Sequence, residues 1–281
     1  IVIGAGISGL SCAWTLKKLG IDAEVLESAS RPGGVIRSET VNGYLVEWGP
    51  NSFQPARNAL DIIDEAGLWD DMVAGDPNAP RYVYIDGRLR KFPFGPLTFG
   101  GMLRILSELF VRSRSPQNES VSGFFRRRFG NQAHDRLVAP LLTGMYAANT
   151  EQLSMAAVFP RMVQMEQEYG SLTGAMLRSF ARRSAAASAS SPTRPKPKGA
   201  VFSFGDGMSV LTDRIAANVT VRYNVSNARP GEAPVTVLTV PAYRAAEILQ
   251  GQCSDVARLL GQVRYAPMVI AATSVPEHSF K

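Results

Sequence analysis

The glycines at positions 4, 6 and 9 constrain this sequence more tightly than any other feature. They follow the apolar, β-branched residues Ile1–Ile3 in the order G-x-G-x-x-G and open a run from Ser8 to about Leu19 that reads as a helix. Gly20 ends that run, Asp22–Leu26 read as a second strand, and Glu27 stands at its end. A backbone that turns this sharply can lie against a pyrophosphate, and the following helix points free N–H groups and the positive end of its dipole at the same place. A carboxylate at the end of the second strand accepts a hydrogen bond from a ribose hydroxyl and repels a 2′-phosphate, which disfavours NADP. Strand, glycines, helix, strand and terminal acid together predict a βαβ unit that holds a dinucleotide.

The rest of the composition narrows the chemistry. A chain of 281 residues with 45% hydrophobic content is globular and fits one or two domains. Cys12 and Cys253 are far apart, so neither a disulfide framework nor a zinc site is expected, and Cys12 reads as a small core residue. His134 and His278 are too isolated for a metal site or a Ser-His-Asp arrangement, which argues against hydrolysis. No run of eighteen apolar residues occurs, so no helix is expected to span a bilayer; with no signal peptide before the first strand, the expected location is cytoplasmic. The net charge of +6 is unevenly spread: residues 1–80 carry five Lys/Arg against eleven Asp/Glu, and residues 81–136 carry eleven against four. The middle of the chain therefore suits an acidic partner, either a polycarboxylate ligand or an anionic membrane surface. Its basic residues sit in no recognisable nucleic-acid module, so no nucleic acid is expected.

Three stretches follow from the patterning. Residues 1–80 are α/β; residues 81–199 are mainly helical and end in the low-complexity tract SAAASASSPTRPKPKG, expected as an exposed linker at about 184–199. Residues 200–281 return to strands, with AVFSFGDGMSVL as strand, turn and helix, PVTVLTVPA as a buried strand and APMVIAATSV as a further strand. In GGMLRILSELFV, helical spacing puts Met102, Ile105, Leu106, Leu109 and Phe110 on one face and Arg104, Ser107, Glu108 and Arg112 on the other. Such a helix either faces the core or lies in a membrane surface. FFRRRFG reads as a solvated basic face with its phenylalanines packed inward, or as part of the same membrane surface.

After Glu27 the sequence continues S-A-S-R-P-G-G, a second glycine turn built on Arg31, Gly33 and Gly34, useful where a chain passes close to an extended cofactor. The combination G-x-G-x-x-G with E-x-x-x-R-x-G-G resembles the N-terminal signature of the FAD-dependent amine-oxidase and desaturase superfamily. Within it, GYLVEWGPNSF, APRYVYIDGRLRKFP, ESVSGFFRRRFG, TGMYAANTEQLSM and SFGDGMSVL are similar to the oxygen-dependent protoporphyrinogen oxidases. The resemblance covers nearly the whole chain. It implies an α/β fold: a Rossmann-like FAD-binding domain assembled from separated pieces (1–80 and part of 200–281), an inserted mainly helical membrane-associated domain and part of a substrate domain.

What the resemblance implies about the site follows residue by residue. Gly4, Gly6, Gly9 and Glu27 would hold FAD, Glu27 through its ribose. Arg31, Gly33 and Gly34 would lie along the pyrophosphate and flavin edge, and Gly49, Pro50 and Asn51 would pass beside the isoalloxazine ring. Arg81 would hold a substrate propionate, a task for which the guanidinium fork is suited; on its own, an arginine before a strand is an ordinary exposed charge. Ala148, where many relatives have glycine, would offer its carbonyl to a pyrrole N–H, with a methyl that crowds the slot if φ there is positive. The implied reaction is oxidation of a porphyrinogen, protoporphyrinogen IX or coproporphyrinogen III, with molecular oxygen as acceptor and no side-chain base assigned. Another flavin amine oxidase or desaturase, or a non-catalytic FAD-binding fragment, is the alternative. Peripheral contact with the inner face of the cell membrane is implied, and a homodimer is compatible. Relatives continue beyond the point matching Lys281, so a C-terminal part of the flavin and substrate sites is expected to be absent and the 281 residues alone are expected to hold little FAD.

Overall fold

The computed structural model describes residues 1–54, 56–111, 114–175, 178, 201–231 and 233–276. The chain divides into two compact units, one formed by residues 1–77, 197–265 and 269–281, the other by 78–196 with 266–268. The stretch 184–199, Arg112 and His278 lie outside the described residues.

The first unit is built on four parallel strands in the order β10-β1-β2-β9, where β1 is Val2–Ile3, β2 Glu24–Leu26, β9 Thr220–Arg222 and β10 Val237–Leu238. Helix α1, Ile7–Lys18, connects β1 to its neighbour β2. Val2, Val25, Leu10 and Ala13 are buried together with Ile63, Leu68, Phe204, Leu211 and Ile215, so strands, α1 and the later helix Ser209–Ala216 share one core. Ile3 and Leu26, the alternate strand residues, point to the other face, against Ala228. Two smaller pairings attach to this unit: the hairpin β3–β4, Ser38–Val41 with Tyr44–Glu47, and the antiparallel pair β5–β8, Met72–Ala74 with Phe202–Phe204. PVTVLTVPA thus supplies a central strand. APMVIAATSV does not become one: residues 264–276 are exposed and carry no strand pairing, because no neighbouring strand among the described residues takes up their N–H and C=O groups.

Among its described residues the second unit holds the hairpin β6–β7, Tyr82–Ile85 with Arg88–Lys91, and the helices α3 Phe99–Leu106, α4 Val121–Phe129, α5 Asn131–Ala133, α6 Ala139–Tyr146, α7 Met155–Val158 and α8 Pro160–Tyr169. Its core gathers Val121, Phe124, Leu142, Met155 and Leu172. One sequence expectation holds only in part here, and a choice that another left open is made. In FFRRRFG the phenylalanines pack inward as expected and Arg126 is exposed, but Arg128 is fully buried, and its guanidinium donates to Glu166 at 2.6 Å, to Glu108 at 3.1 Å and to the carbonyls of Val111 and Gly170 at 2.8 Å. Arg127 beside it bonds Glu119 and Glu166.

The amphipathic segment turns its apolar face outward over the described residues 101–110 instead of facing the core. Glu108 is fully buried, accepting from Arg128, from Ser171 Oγ and from the N–H groups of Leu172 and Thr173, whereas Leu103, Leu106, Leu109 and Phe110 are exposed. The α-helix stops at Leu106 and continues as a 3₁₀ turn over Ser107–Phe110. Through that change Leu106, Leu109 and Phe110 still share one face opposite Glu108, as helical spacing assigns them, and it is this apolar face that points outward. Arg104 is likewise turned inward, donating to the carbonyls of Arg127 and Arg128, both at 2.9 Å, at the end of α4.

Breaking a buried ion pair leaves its partners charged and unpaired, so Arg128→Met is expected to cost about 3–5 kcal/mol in urea unfolding at neutral pH. Burial pushes the Glu166 carboxyl up, but hydrogen bonds from Arg127, Ser115 and Arg128 overcome this and hold it at about 2, below its ordinary 4.5. A folded-state value below the unfolded one stabilises fully above about 4.5 and is lost as pH falls toward about 2. The difference between wild type and Arg128→Met should therefore shrink across that acid window; a difference independent of pH would contradict this origin.

Candidate functional site

The predicted glycine cradle forms in the first unit. Gly4 has φ +105°, and a Cβ on Gly9 would lie 1.9 Å from the Gly4 carbonyl oxygen, so only glycine at 9 lets α1 approach β1 this closely. Thr239, at the end of β10, closes the same corner by donating its hydroxyl to the carbonyls of Ile3 at 2.9 Å and Gly4 at 3.0 Å. Gly6 caps α1 with no side-chain hydrogen bond and no acidic residue in the first turn, and a Cβ placed on it meets nothing within 4 Å. The start of α1 thus leaves its first N–H groups uncapped beside open space.

The second glycine turn folds back onto the first. Gly33 donates to the Ala5 carbonyl at 2.8 Å and pairs with Gly6, and a Cβ on Gly34, at φ +59°, would stand 3.3 Å from Gly6 Cα. Arg31 braces this turn: its guanidinium donates to the carbonyls of Pro32, Ile36 and Gly34 at 2.8–3.0 Å. Gly49 packs against the turn from the other side, where a Cβ would lie 1.9 Å from the Val35 carbonyl oxygen, and the exposed Pro50 and Asn51 follow it.

Glu27 is 8% exposed and ties the cradle to the sheet. One carboxylate oxygen accepts from Ala5 N–H, between Gly4 and Gly6, at 2.6 Å, and the other from Ala29 N–H at 2.8 Å. A carboxylate offers about four acceptor positions, so capacity remains for a diol. The surroundings are electrostatically mixed: burial pushes the Asp213 carboxyl up while Arg31 pulls it down, and burial with the charges of Asp213 and Glu27 pushes the Tyr223 phenol up.

Arg81 and Ala148 belong to the second unit. Arg81 is exposed at the start of β6, and its carbonyl accepts from Phe92 N–H at 2.8 Å. Ala148 is half-buried just beyond α6. The left-handed residue there is its neighbour Ala147, at φ 49° and ψ 30°; the strain expected of a methyl at 148 falls one residue earlier. Sequence reasoning missed Thr239, which nothing in its strand marks as special. It also missed Glu47, which accepts from Met208 N–H at 2.8 Å and from Ser38 Oγ at 2.7 Å, docking the GDGMS turn on the β3–β4 hairpin. The acid in YLVEWG is visible, but nothing local gives its partner 161 residues away.

Residues 7–277 match the family model of flavin-containing amine oxidoreductases. The chain belongs to that family. It is 35% identical to the chloroplastic protoporphyrinogen oxidase of Oryza sativa subsp. japonica, across all of this chain and 60% of the rice protein. It is 30% identical to a coproporphyrinogen III oxidase of Staphylococcus aureus, across 80% of this chain and 53% of that protein. The chain spans 57–60% of the length of the plant relatives it matches over its whole extent. Among solved structures, a protein from Exiguobacterium sp. 255-15 assigned as a protoporphyrinogen oxidase superposes with a TM-score of 0.69 at 23% identity, over 89% of this chain and 61% of that one. Reduced UDP-galactopyranose mutase superposes at 0.59 and 18% identity, over 94% and 60%. These likenesses show an FAD-binding α/β fold.

The cradle fits a flavin dinucleotide. Open space beside Gly6, uncapped N–H groups at the start of α1 and residual acceptor capacity on Glu27 match a pyrophosphate and a ribose. Because Glu27 also satisfies Ala5 N–H, Glu27→Ala should cost about 1–3 kcal/mol of stability in urea unfolding and, separately, weaken binding in a flavin titration. Unchanged stability together with unchanged flavin affinity would remove Glu27 from both roles.

Proposed function

We propose that the protein carrying this chain is a flavoenzyme of tetrapyrrole synthesis that oxidises a porphyrinogen, with molecular oxygen as the final acceptor. The observation that carries the reading is the double glycine cradle with Glu27, in a chain whose whole length matches plant protoporphyrinogen oxidases. Bound FAD supplies a two-electron acceptor that oxygen restores. Gly4, Gly6, Gly9, Gly33 and Gly34 shape the pyrophosphate seat, Glu27 takes the ribose, Arg31 keeps the second turn closed, and Gly49, Pro50 and Asn51 line the flavin's approach. Arg81 takes a substrate propionate in the fork of its guanidinium, and the Ala148 carbonyl accepts from a pyrrole N–H. In each oxidation the tetrapyrrole loses a hydride and a proton, and oxygen ends as hydrogen peroxide.

The test is an oxidation assay on the full protein with protoporphyrinogen IX and coproporphyrinogen III, followed by porphyrin fluorescence. Turnover of at least one is expected, and a yellow protein that oxidises neither would refute the reading. Arg81→Ala should raise KM more than it lowers kcat, since a propionate remote from the reacting carbon is held equally in ground and transition states. An unchanged KM removes Arg81 from the substrate site.

We also propose that the second unit rests on an anionic membrane surface. What supports this is the outward apolar ridge of α3 and its 3₁₀ extension, where Phe99 is 73% and Phe110 82% exposed and Leu103 and Leu106 stand between them. No helix among the described residues is long and apolar enough to cross a membrane. Replacing Phe99, Leu103, Leu106 and Phe110 by serine should abolish sedimentation with anionic liposomes at low salt. Arg104, already committed to the carbonyls of α4, is the wrong residue to vary. Undiminished liposome binding by the serine variant would remove the ridge from the contact.

A further inference from the structure

The proposed function makes no use of a buried histidine that the fold has placed with both ring nitrogens engaged. His134 is 3% exposed and opens a π-helical turn, His134–Val138, between α5 and α6. Its Nδ1 lies 2.6 Å from Asp135 Oδ1 and its Nε2 3.0 Å from Thr150 Oγ1. A carboxylate can only accept, so Nδ1 carries a proton toward Asp135, which leaves Nε2 to engage the threonine hydroxyl. The Asp135 carboxyl is held below its usual range, first by His134 and further by Arg126, which keeps this acceptor ionised and the ring orientation set.

Thr150 is itself buried, and its main chain is fixed independently, its carbonyl accepting from Ser122 N–H at 3.1 Å. The turn before it contains Ala147 in the left-handed region, a conformation that costs an alanine about 1–2 kcal/mol and persists only where the surroundings over-determine it. The surroundings do so here. Ala147 N–H closes on the Thr143 carbonyl at 2.9 Å, Gln152 N–H on that of Asn149 at 2.9 Å, and Glu151 N–H on Asn149 Oδ1 at 3.0 Å. His134 supplies the side-chain anchor at the far end of the same turn. Between the strained Ala147 and the anchored Thr150 lies Ala148. π-Helical turns inside α-helices are frequent at functional sites.

We propose that His134 is a positioning residue for substrate: acting through Thr150, it fixes the turn 147–150 and so sets the direction of the Ala148 carbonyl that receives the tetrapyrrole. This rests on the porphyrinogen reading above. It assigns to the buried histidine neither proton transfer nor contact with substrate.

The test uses the full protein and the stable porphyrin, bound in the dark and followed by fluorescence quenching, so that turnover is not required. Thr150→Val keeps the side chain's shape and removes the hydroxyl; His134→Phe keeps most of the volume and removes both ring nitrogens; His134→Gln can still reach Thr150 with its terminal amide. Thr150→Val and His134→Phe are each expected to weaken porphyrin binding roughly fivefold to tenfold, about the worth of one hydrogen bond. The double variant should be no weaker than either alone, since both act through one contact. His134→Gln should bind as wild type does, and flavin content should be unchanged throughout. Porphyrin affinity equal to wild type in Thr150→Val overturns the proposal even if His134→Phe does not fold. Additive losses, or flavin lost in parallel with porphyrin, overturn it by showing general damage to the fold. A flavin-loaded wild type that binds no porphyrin overturns this inference and the porphyrinogen reading together, whereas failure of the variants alone leaves that reading standing.

Discussion

The first unit depends on one close approach, the packing of Gly9 on the Gly4 carbonyl. Any side chain at 9 would occupy the carbonyl's own space and push α1 away from β1. The consequences spread from that contact. It lets Thr239 bond the carbonyls of Ile3 and Gly4, which holds β10 in register beside β1. It places Ala5 N–H where Glu27 reaches it, so the end of β2 is joined to the loop between β1 and α1. It also leaves Gly6 bare, so that the second glycine turn can lie against it through Gly33 and Gly34. The residues that make the cradle suitable for a pyrophosphate are thus the ones that hold helix and sheet together, and neither role is separable from the other.

The second unit is organised by the opposite kind of contact, a charge that had to be buried and was then fully satisfied. Once Arg128 enters the interior, its desolvation is tolerable only if carboxylates and carbonyls follow it, and Glu166, Glu108, Val111 and Gly170 do. Drawing Glu108 inward has a cost on the other side of the same turn, because Leu109 and Phe110 cannot be inside as well. The exposed apolar ridge is in this sense the outer face of a buried ion network. A surface that looks like a packing failure follows directly from the electrostatics beneath it.

Each part of the site was legible to the extent that its chemistry is local in sequence. Gly4, Gly6, Gly9 and Glu27 occur within one βαβ unit, and the bonds of the Glu27 carboxylate, to Ala5 N–H and Ala29 N–H, are supplied by residues close by. Arg31 could be placed at the second glycine turn, but its bonds to the Pro32, Ile36 and Gly34 carbonyls depend on how that turn closes, which spacing does not reveal. Glu47 and Met208 meet across 161 residues, and His134, at the head of a π-turn, meets Thr150 across 16.

The sequence by itself determined the dinucleotide cradle, since the glycine spacing allows one backbone path and the acid at the end of β2 has one place to go. It also determined that 101–110 is helical and amphipathic. Only the tertiary structure decided which way that segment faces. Helical periodicity sorts residues into two faces without saying which is inward, and here the deciding free energy was the satisfaction of Arg128 and of the N–H groups at Leu172 and Thr173, contributed by partners up to 65 residues away.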